Sequence, residues 1–434
     1  MHEDDFLKFA NYTRKIKSLD LSWNQDHLTS GQFDCWYNAI SQVVTTMEQR
    51  SMPGAPPFCQ LRSLSVYTNH VTPIVNFITS PIFYQKSITH FSMFFLTRNE
   101  HGKILGRTIF ENLTKVGGES IRWVLLGGIR EGNPDDAALY DSLAGFISTC
   151  KNLELLRSPC PPPVLSALTQ LKSLHSLRLD VSNHKASPSF DFDFPRMADI
   201  RLSNVESEEG AIDILGRGIF PLLTELDLEF ENPDGFSMAA ANTIIAERFP
   251  TIRTIQMMTN KTLGYPHVVG LALRHLTSLE VRPSMGIVPL ILSPSELRNL
   301  LSGIPQLEVL KLPMWGKFEI PLPYTPYDIL NVFAQEGKNL QEMEYPLLFT
   351  AETTAPDPTT MATFQKLKSL EVGRSPIHPS QLDGMHDVFD ILLPAGCTFS
   401  VIHCADFTYR SLWKEVWDSW IAKRTAKTKP EEEL

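Results

Sequence analysis

The chain has 434 residues, of which 43% are hydrophobic, so it is long and apolar enough to bury a large core. Its net charge of −10 argues against nucleic acid or an anionic membrane surface as a partner. No apolar run approaches the ~20 residues of a membrane-spanning helix, and the N-terminus lacks the layout of a signal peptide. Six cysteines lie scattered without a C-x-x-C pair, which predicts neither a disulfide framework nor a metal site. We therefore expect an intracellular protein, cytoplasmic or nuclear.

The N-terminal segment predicts a helix. Residues 4–15 place Phe6, Phe9 and Tyr12 on one helical face, as expected of a segment that covers the end of a core. We assign residues 1–15 to an N-terminal capping helix. A second stretch of apolar residues at helical spacing runs from Phe33 to Met47 and ends before a proline-rich segment at 52–57.

A repeated pattern, L-x-x-L-x-L with apolar substitutions, dominates residues 16–396. Its mean spacing of about 29 residues lies in the range of leucine-rich repeats, in which each unit is a strand and a returning helix or turn. The first residue of each pattern is called position one here. Position one falls at Ile16, Leu61, Ile88, Ile121, Leu153, Leu174, Met197, Leu223, Ile252, Leu276, Leu307, Leu340 and Leu367.

The repeat at Leu223 shows the expected geometry most clearly. In a strand, Leu226 and Leu228 at positions four and six point to one face. One short strand cannot stand alone, because burial of each leucine is worth roughly 1.5–3 kcal/mol. The asparagine that usually follows the strand occurs only at Asn24, Asn69 and Asn260, so we expect an irregular solenoid.

Three connections carry helix-start signals: a capping residue, proline and then an acid. They begin at Asn133, Ser293 and Thr325. We expect the apolar faces that follow to pack beneath the sheet: Leu139, Leu143, Phe146, Leu297, Leu300, Leu301, Ile329, Leu330 and Phe333. The connection from Pro159 to Val164 is expected to be too proline-rich for a full helix.

The C-terminal end departs from the repeat. Residues 397–404 predict a last strand, and the following helix places Trp413, Trp417 and Trp420 on one stripe. We interpret residues 397–422 as a C-terminal cap, with a partner-binding stripe as the alternative. The charged residues 423–434 predict a disordered tail.

No catalytic constellation emerges from the sequence. It contains no G-x-S-x-G, no phosphate-binding G-x-x-x-x-G-K-S/T and no H-E-x-x-H motif. His403, Cys404 and Asp406 share a segment, but adjacent strand residues face opposite sides and make poor metal partners. We expect a protein that is not an enzyme and that holds no cofactor and no metal.

The repeats instead predict a binding surface, formed by positions three, five and seven on the concave face of a parallel sheet. Its centre is acidic and its N-terminal part is aromatic, and arginine and aromatic side chains are favoured in interface hot spots. The candidate partner-binding residues are Tyr67, Phe94, Trp123, Arg157, Arg178, Asp180, Arg201, Glu225, Asp227, Glu229, Glu280 and Arg282.

Three segments resemble fungal F-box/leucine-rich-repeat proteins, which have an RNI-like fold. They are residues 6–21 (FLKFANYTRKIKSLDL), 392–399 (LLPAGCTF) and 412–420 (LWKEVWDSW). The resemblance implies that the repeats hold a protein substrate of a ubiquitin ligase. In the family an upstream F-box binds a Skp-type adaptor, whereas this chain begins where that F-box would end. Adaptor binding is therefore expected only if an upstream F-box exists.

The sequence thus predicts an α/β leucine-rich-repeat solenoid, a horseshoe with a parallel concave sheet and irregular helices on its convex side. The predicted function is non-catalytic protein recognition, as the substrate-binding region of an F-box-type ubiquitin ligase receptor. Two alternatives remain open: a small-molecule sensor or enzyme with a pocket on the concave face, and a regulatory scaffold.

Overall fold

A computed structural model describes most of the chain. The described residues are 8, 12–23, 42, 45–46, 58–68, 79, 83–95, 100–128, 136–181, 191–231, 237–259, 263–283, 292–312, 324–372, 375–400 and 407–428. The chain divides into two compact units: unit 1 comprises Met1–Ile200 and Arg217–Leu222, and unit 2 comprises Arg201–Gly216 and Leu223–Leu434. The division falls within strand β8 (Asp199–Val205).

Unit 1 contains six parallel strands that lie side by side in chain order. They are β1 (Ser18–Trp23), β2 (Ser63–Thr68), β3 (His90–Phe95), β4 (Trp123–Gly127), β5 (Leu155–Pro159) and β6 (Ser176–Asp180). Its described helices are α1 (Glu100–Val116), α2 (Ala137–Thr149) and α3 (Pro162–Leu168). The short strands β7 (Phe192–Asp193) and β9 (Gly218–Ile219) form a separate parallel pair.

Unit 2 repeats the arrangement with seven parallel strands in chain order. They are β10 (Glu225–Phe230), β11 (Thr254–Thr259), β12 (Ser278–Pro283), β13 (Val309–Lys311), β14 (Glu342–Glu344), β15 (Ser369–Glu371) and β16 (Thr398–Ser400). The described helices are α4 (Glu208–Arg217), α5 (Ala239–Arg248), α6 (Tyr265–Val268), α7 (Pro294–Gly303), α8 (Pro326–Glu336), α9 (Leu382–Leu392) and α10 (Phe407–Thr428). Successive parallel strands joined by helices or turns are the α/β arrangement that the repeat pattern predicts.

The predicted register is confirmed at every repeat, because a strand begins two residues after each of the thirteen position-one residues. Residues at positions four and six are buried throughout the central repeats, as Leu226 and Leu228 show with exposures of 0% and 1%. Positions three, five and seven lie on the opposite side of the parallel strands in each unit. We call this side the outer face. A shift of one residue would place the leucines in water, so apolar burial fixes this register.

The backbone holds neighbouring repeats in this register through position two. Its carbonyl oxygen accepts hydrogen bonds from two consecutive N–H groups of the next repeat: the Arg253 oxygen, for example, accepts from Thr277 at 2.9 Å and Ser278 at 2.9 Å. The same pattern joins Lys17 to Arg62 and Ser63 in unit 1. These main-chain bonds act together with leucine burial to fix where each strand starts.

A second repeated residue escaped the sequence interpretation. Three residues before position one, the carbonyl oxygen accepts from the position-one N–H, as in the bonds from Ile252 to Phe249 and from Met197 to Phe194. The residue there is often a buried aromatic, followed in three repeats by proline: Phe194, Phe220 and Phe249. The motif F-P-x-apolar could have predicted this residue from the sequence, because proline favours a tight turn immediately before the strand.

The helices pack against the buried side of the strands. Phe91 of β3 meets Phe146 of α2 edge to face, at a centroid distance of 6.1 Å, and Phe146 stacks on Phe110 of α1 at 5.9 Å. In unit 2, Phe389 of α9 lies 5.9 Å from Phe399 of β16. All nine residues predicted to form the apolar helix faces are buried. The outer face therefore lies on the side of the strands opposite to these helices.

Two of the three predicted helix starts are confirmed in detail. The Ser293 hydroxyl accepts from the Glu296 N–H at 3.3 Å, and Glu296 accepts from the Ser293 N–H at 2.8 Å. Thr325 and Asp328 form the same capping box. The third start, at Asn133, lies outside the described residues, and helix α2 begins at Ala137 after Asp136.

One connection differs from its prediction. The segment after β5 was expected to be too proline-rich for a helix, yet Pro162 begins the two-turn helix α3. Proline is accepted there because the first helical residues need no hydrogen-bonded N–H. The predicted helices at residues 4–15 and 33–47 lie largely outside the described residues, although Tyr12 is described and is 68% exposed. The repeat asparagines Asn24, Asn69 and Asn260 also lie outside the described residues.

The tryptophan helix packs against the last strand of unit 2. Trp413 and Trp420 are buried, and Phe399 of β16 contacts Trp413 at 5.5 Å and Trp417 at 5.3 Å. The helix does not end at residue 422, however, because α10 continues to Thr428. Within this extension Arg424 donates to the carbonyl oxygens of Leu393 and Pro394, both at 2.9 Å. Residues 423–428 of the predicted tail therefore belong to helix α10. The charged composition of the segment did not indicate that Arg424 makes these hydrogen bonds.

Candidate binding surface

The outer face of unit 1 carries a group of aromatic and arginine side chains. We call it the aromatic–arginine surface and define it by Tyr67, Phe94, Trp123, Leu125, Arg157 and Arg178. Tyr67 and Phe94 are register partners with ring centroids 6.5 Å apart, and Trp123 lies 4.8 Å from His90. Tyr67 is 44% exposed and Trp123 is 43% exposed. These rings are held by their strand neighbours but remain open to solvent.

The backbone beside Phe94 helps to place its ring. Its register partner on β4 is Gly127, and a Cβ atom at that glycine would overlap the Phe94 ring. Glycine at position seven of β4 therefore lets the aromatic side chain lie over the neighbouring strand.

The two arginines lie beside the aromatic rings. Leu125 is in register with Arg157, and Arg157 is in register with Arg178, so the three side chains occupy position five of successive strands. Arg157 is exposed and Arg178 is partly buried. The Nε atom of Arg178 is inaccessible to solvent and has no hydrogen-bond acceptor within the described part of the chain. A buried donor without an acceptor is unfavourable.

The outer face of unit 2 is charged and largely self-paired. Arg201 donates to Glu229 at 2.9 Å, and the same nitrogen lies 3.2 Å from the Met258 sulfur. The predicted acidic centre at Glu225, Asp227 and Glu229 is consequently smaller than the sequence suggested, because Arg201 neutralises one of its three carboxylates.

A second ionic group lies further along the same unit. Glu280 is buried, with 8% exposure, and accepts from Arg282 at 2.6 Å and 2.9 Å. Lys311 lies 3.8 Å from Glu280 and 3.6 Å from Glu342. The two predicted residues, Glu280 and Arg282, therefore form an ion pair with each other.

Glu344 is the outer-face residue that sequence reasoning missed. It lies at position five of β14, in register with Lys311 and Glu371, and it is only 8% exposed. Its Oε1 atom lacks a hydrogen-bond donor among the described residues. Burial, followed by the nearby Glu371 carboxylate, raises the pKa of Glu344 to about 7. The sequence signal for this site was glutamate at position five of two successive repeats. Parallel pairing of their strands brings the Glu344 and Glu371 side chains together.

The predicted residues thus fall into groups that belong to separate units. Tyr67, Phe94, Trp123, Arg157, Arg178 and Asp180 lie in unit 1, and the remaining six lie in unit 2. Within unit 1 the register brings the aromatic residues and the arginines onto adjacent strands, whereas within unit 2 it brings opposite charges together.

The described residues offer little for covalent or metal chemistry. Burial raises the pKa of the Cys150 thiol to about 12 and that of Cys397 to about 11, so neither is a nucleophilic thiolate near neutral pH. Within the described ranges no three His, Cys, Asp or Glu side chains are grouped to hold a metal ion. None of the described helices is both long and apolar enough to span a bilayer.

Comparison with known proteins gives only weak likenesses. No model of a protein family matches the chain, and no curated relative matches it. Among solved structures, one chain from the complex of Rad7 and Elc1 in yeast is 16% identical, covers 82% of this chain and 91% of that chain, and has a TM-score of 0.32. A protein from Bacteroides fragilis is 11% identical, with coverages of 88% and 86% and a TM-score of 0.30. Both TM-scores lie below 0.5, and at that level the likenesses say nothing further about fold or function.

Proposed function

We propose that this chain is a non-catalytic protein-recognition module whose partner binds the outer face of its strands. The observation that supports this function is the exposure of two large aromatic side chains, Tyr67 at 44% and Trp123 at 43%, on a sheet face beside Arg157. Large aromatic residues are normally buried, and their exposure in a group marks an interaction site. Tryptophan, tyrosine and arginine are also the residues that dominate binding energy in protein interfaces.

The repeat architecture explains why this face would be the binding surface. Main-chain hydrogen bonds and leucine burial fix each strand, so the outer side chains are held on a rigid base before a partner arrives. Preorganisation of this kind reduces the ordering cost of association. The self-paired charges of unit 2, such as Arg201 with Glu229, are likewise held in one arrangement.

The finer form of the proposal is a leucine-rich-repeat solenoid with this surface on its concave side, acting as the substrate-binding region of an F-box-type ubiquitin ligase receptor. Its support is the resemblance of residues 6–21, 392–399 and 412–420 to fungal F-box/leucine-rich-repeat proteins, together with the confirmed register of thirteen repeats. In this form the partner is a protein substrate, and a Skp-type adaptor joins only through an upstream F-box.

Affinity purification with matched variants tests the recognition function. The full chain, the outer-face variants W123A and E225K, and the control R107E would each be used to recover proteins from cells. Arg107 lies on helix α1, where it pairs with Glu111 at 2.8 Å and both side chains are exposed. We expect a specific partner to be lost with at least one outer-face variant and retained with R107E. Recovery of the same proteins by all variants would contradict the proposal.

A separate experiment tests the ligase assignment. Purified Skp-type adaptor would be mixed with this chain alone and with the chain carrying an added N-terminal F-box. The proposal expects adaptor binding only by the second protein. Tight adaptor binding by the chain alone would show that the assignment of residues 16–396 to substrate recognition is wrong.

A further inference from the structure

The position-five row of unit 1 contains two adjacent arginines, Arg157 and Arg178, that form no ion pair with the described residues. Arg157 and Arg178 are register partners on β5 and β6, and neighbouring strands lie about 4.8 Å apart. Neither arginine makes a hydrogen bond or an ion pair in the part of the chain that the structure describes. Adjacent strands place two positive side chains on neighbouring positions of one face, and an anion bound beside them would interact favourably with both.

The nearest carboxylates of unit 1 do not supply that anion. Asp199 accepts a hydrogen bond of 2.6 Å from Ser176, and Glu154 pairs with Arg122 at 3.3 Å. Asp180, two residues beyond Arg178 on the same face, takes part in an interaction of its own. The Nε atom of Arg178 is inaccessible, but the residue is only partly buried, so the rest of its guanidinium group is the part that an outside acceptor could contact.

The surroundings of the arginine pair indicate what kind of molecule carries the anion. On the strand next to Arg157 lie Leu125 at position five and the half-exposed Trp123 at position three. An acidic side chain placed between the guanidinium groups would thus have an apolar surface one strand away. In an extended peptide, side chains two residues apart lie about 6.8 Å apart on one side, which suits an acid beside an aromatic or aliphatic residue.

We propose that the aromatic–arginine surface binds an extended segment of a partner protein in which a Glu or Asp side chain is flanked by aromatic or aliphatic residues. The carboxylate accepts hydrogen bonds from Arg157 and Arg178, and the flanking apolar side chain packs on Trp123 and Leu125. This inference rests on the proposed recognition function and adds the chemistry of the recognised segment. Arginine suits this role because its planar group binds a carboxylate with two parallel hydrogen bonds.

A defined probe tests this inference with the full chain. The probe is a fluorescein-labelled peptide with the central sequence Phe-Gly-Glu-Gly-Glu-Gly-Phe between Gly-Ser spacers. Matched peptides replace both glutamates by glutamine or by lysine, or both phenylalanines by serine. Binding is measured by fluorescence anisotropy at two salt concentrations. We expect the glutamate peptide to bind about ten-fold more tightly than the glutamine peptide, to lose affinity at higher salt and to weaken when phenylalanine is removed.

Variants of the protein identify the surface. R157Q and R178Q should each reduce affinity for the glutamate peptide several-fold, and the double variant should abolish the preference for glutamate over glutamine. R107Q, on helix α1, is the matched control and should leave affinity unchanged. Because both arginines lie on the outer face and pair with none of the described residues, the variants should fold and keep the wild-type circular dichroism spectrum.

Three results would overturn the inference: no measurable binding of the glutamate peptide, equal binding of the glutamine or lysine peptide, or full binding by the double variant. These failures are distinguishable from failure of the proposed function. If a partner recovered from cells is lost with W123A but retained with R157Q/R178Q, recognition by this face stands and the acidic segment does not. If that partner is retained by every outer-face variant, the proposed function itself fails.

Discussion

The buried indole N–H of Trp413 donates a hydrogen bond of 2.8 Å to the backbone carbonyl oxygen of Ser375. Ser375 is itself fully buried, where its hydroxyl accepts from the Leu347 N–H at 2.6 Å and donates to the carbonyl oxygen of Val372. Inside an aromatic cluster, this contact joins the C-terminal helix to the repeats of unit 2, in addition to the bonds from Arg424 to Leu393 and Pro394. If α10 caps the core, as the sequence predicts, loss of this contact should lower stability.

Replacement of Trp413 by phenylalanine should therefore destabilise unit 2 in a graded way. W413F keeps most of the apolar surface but leaves the Ser375 carbonyl without its donor, which costs about 1–3 kcal/mol. W413A also opens a cavity and should cost about 3–5 kcal/mol. Urea denaturation monitored by circular dichroism measures both. Equal, small effects of the two variants would show that α10 does not cap the core.

Asn242 of helix α5 offers a second test of internal packing. It is completely buried, and its Nδ2 group donates to the carbonyl oxygens of His267 at 3.0 Å and Val269 at 2.9 Å. N242D removes these donors and places a carboxylate beside two carbonyl oxygens, so we expect a loss of about 2–4 kcal/mol in the free energy of unfolding. The conservative control T243S, on the same helix at an exposed position, should change it by less than about 0.5 kcal/mol. A stable N242D would contradict the packing of α5 on α6.

An ion pair within unit 1 predicts strong coupling between two helices. Lys103 of α1 lies 2.7 Å from Asp136, the residue that precedes α2, and the two side chains are only 12% and 5% exposed. D136A leaves the ammonium group without its close counter-charge and should cost about 3 kcal/mol. The double variant K103M/D136A should recover part of that loss, because no charge then remains in the buried site. A double-mutant cycle by thermal denaturation measures the coupling; additive effects would contradict it.

The Glu344 carboxyl group predicts a pH dependence of stability. Burial and the adjacent Glu371 raise its pKa from 4.5 to about 7; Glu280 also raises it, whereas Lys311 and Arg282 lower it by smaller amounts. Between these two pH values the folded chain binds more protons than the unfolded chain, so stability falls as the pH rises through this window. E344Q removes this titration. At pH 8 the variant should be more stable than the wild type by about 1 kcal/mol, and near pH 4 the difference should vanish.

The control for this experiment is E342Q, two residues earlier on the same strand. Glu342 is exposed and contacts Lys311 at 3.6 Å, so its replacement should change stability little and without this pH window. Denaturation midpoints measured between pH 4 and pH 8 compare the two variants. If E344Q loses stability relative to the wild type as the pH rises, the buried carboxylate is stabilising and the pKa direction is wrong.

The strand register could be predicted from sequence because it depends on local alternation. Leucines at positions four and six force one face inward, and position two then fixes the start of the strand through main-chain bonds. The capping boxes at Ser293 and Thr325 were predictable for the same reason, since their partners lie within four residues. Long-range contacts were less accessible. The sequence predicts that Arg424 lies in a charged tail. It could not show the hydrogen bonds of Arg424, because the carbonyl oxygens that it binds lie about thirty residues earlier in the chain.

The binding surface illustrates the same limit. The sequence assigned Arg157 of unit 1 and Arg201 and Glu280 of unit 2 to odd positions of their strands, because strand parity requires only the register. Whether each charge is available depends on its surroundings: Glu229 neutralises Arg201, Arg282 neutralises Glu280, and Arg157 pairs with no carboxylate among the described residues. Burial of Glu344 was also hard to predict, because glutamate is rarely buried and the two position-five glutamates predict only that Glu344 and Glu371 lie close together.

The most direct test of outer-face recognition is hydroxyl-radical footprinting of the full chain with and without the partner recovered by affinity purification. Tyr67 and Trp123 are more than 40% exposed on the outer face, and Ile104 on helix α1 is 53% exposed on another element. The account predicts that the partner lowers oxidation of Tyr67 and Trp123 several-fold and leaves Ile104 unchanged. Protection of Ile104, with Tyr67 and Trp123 still oxidised at the free rate, would contradict it.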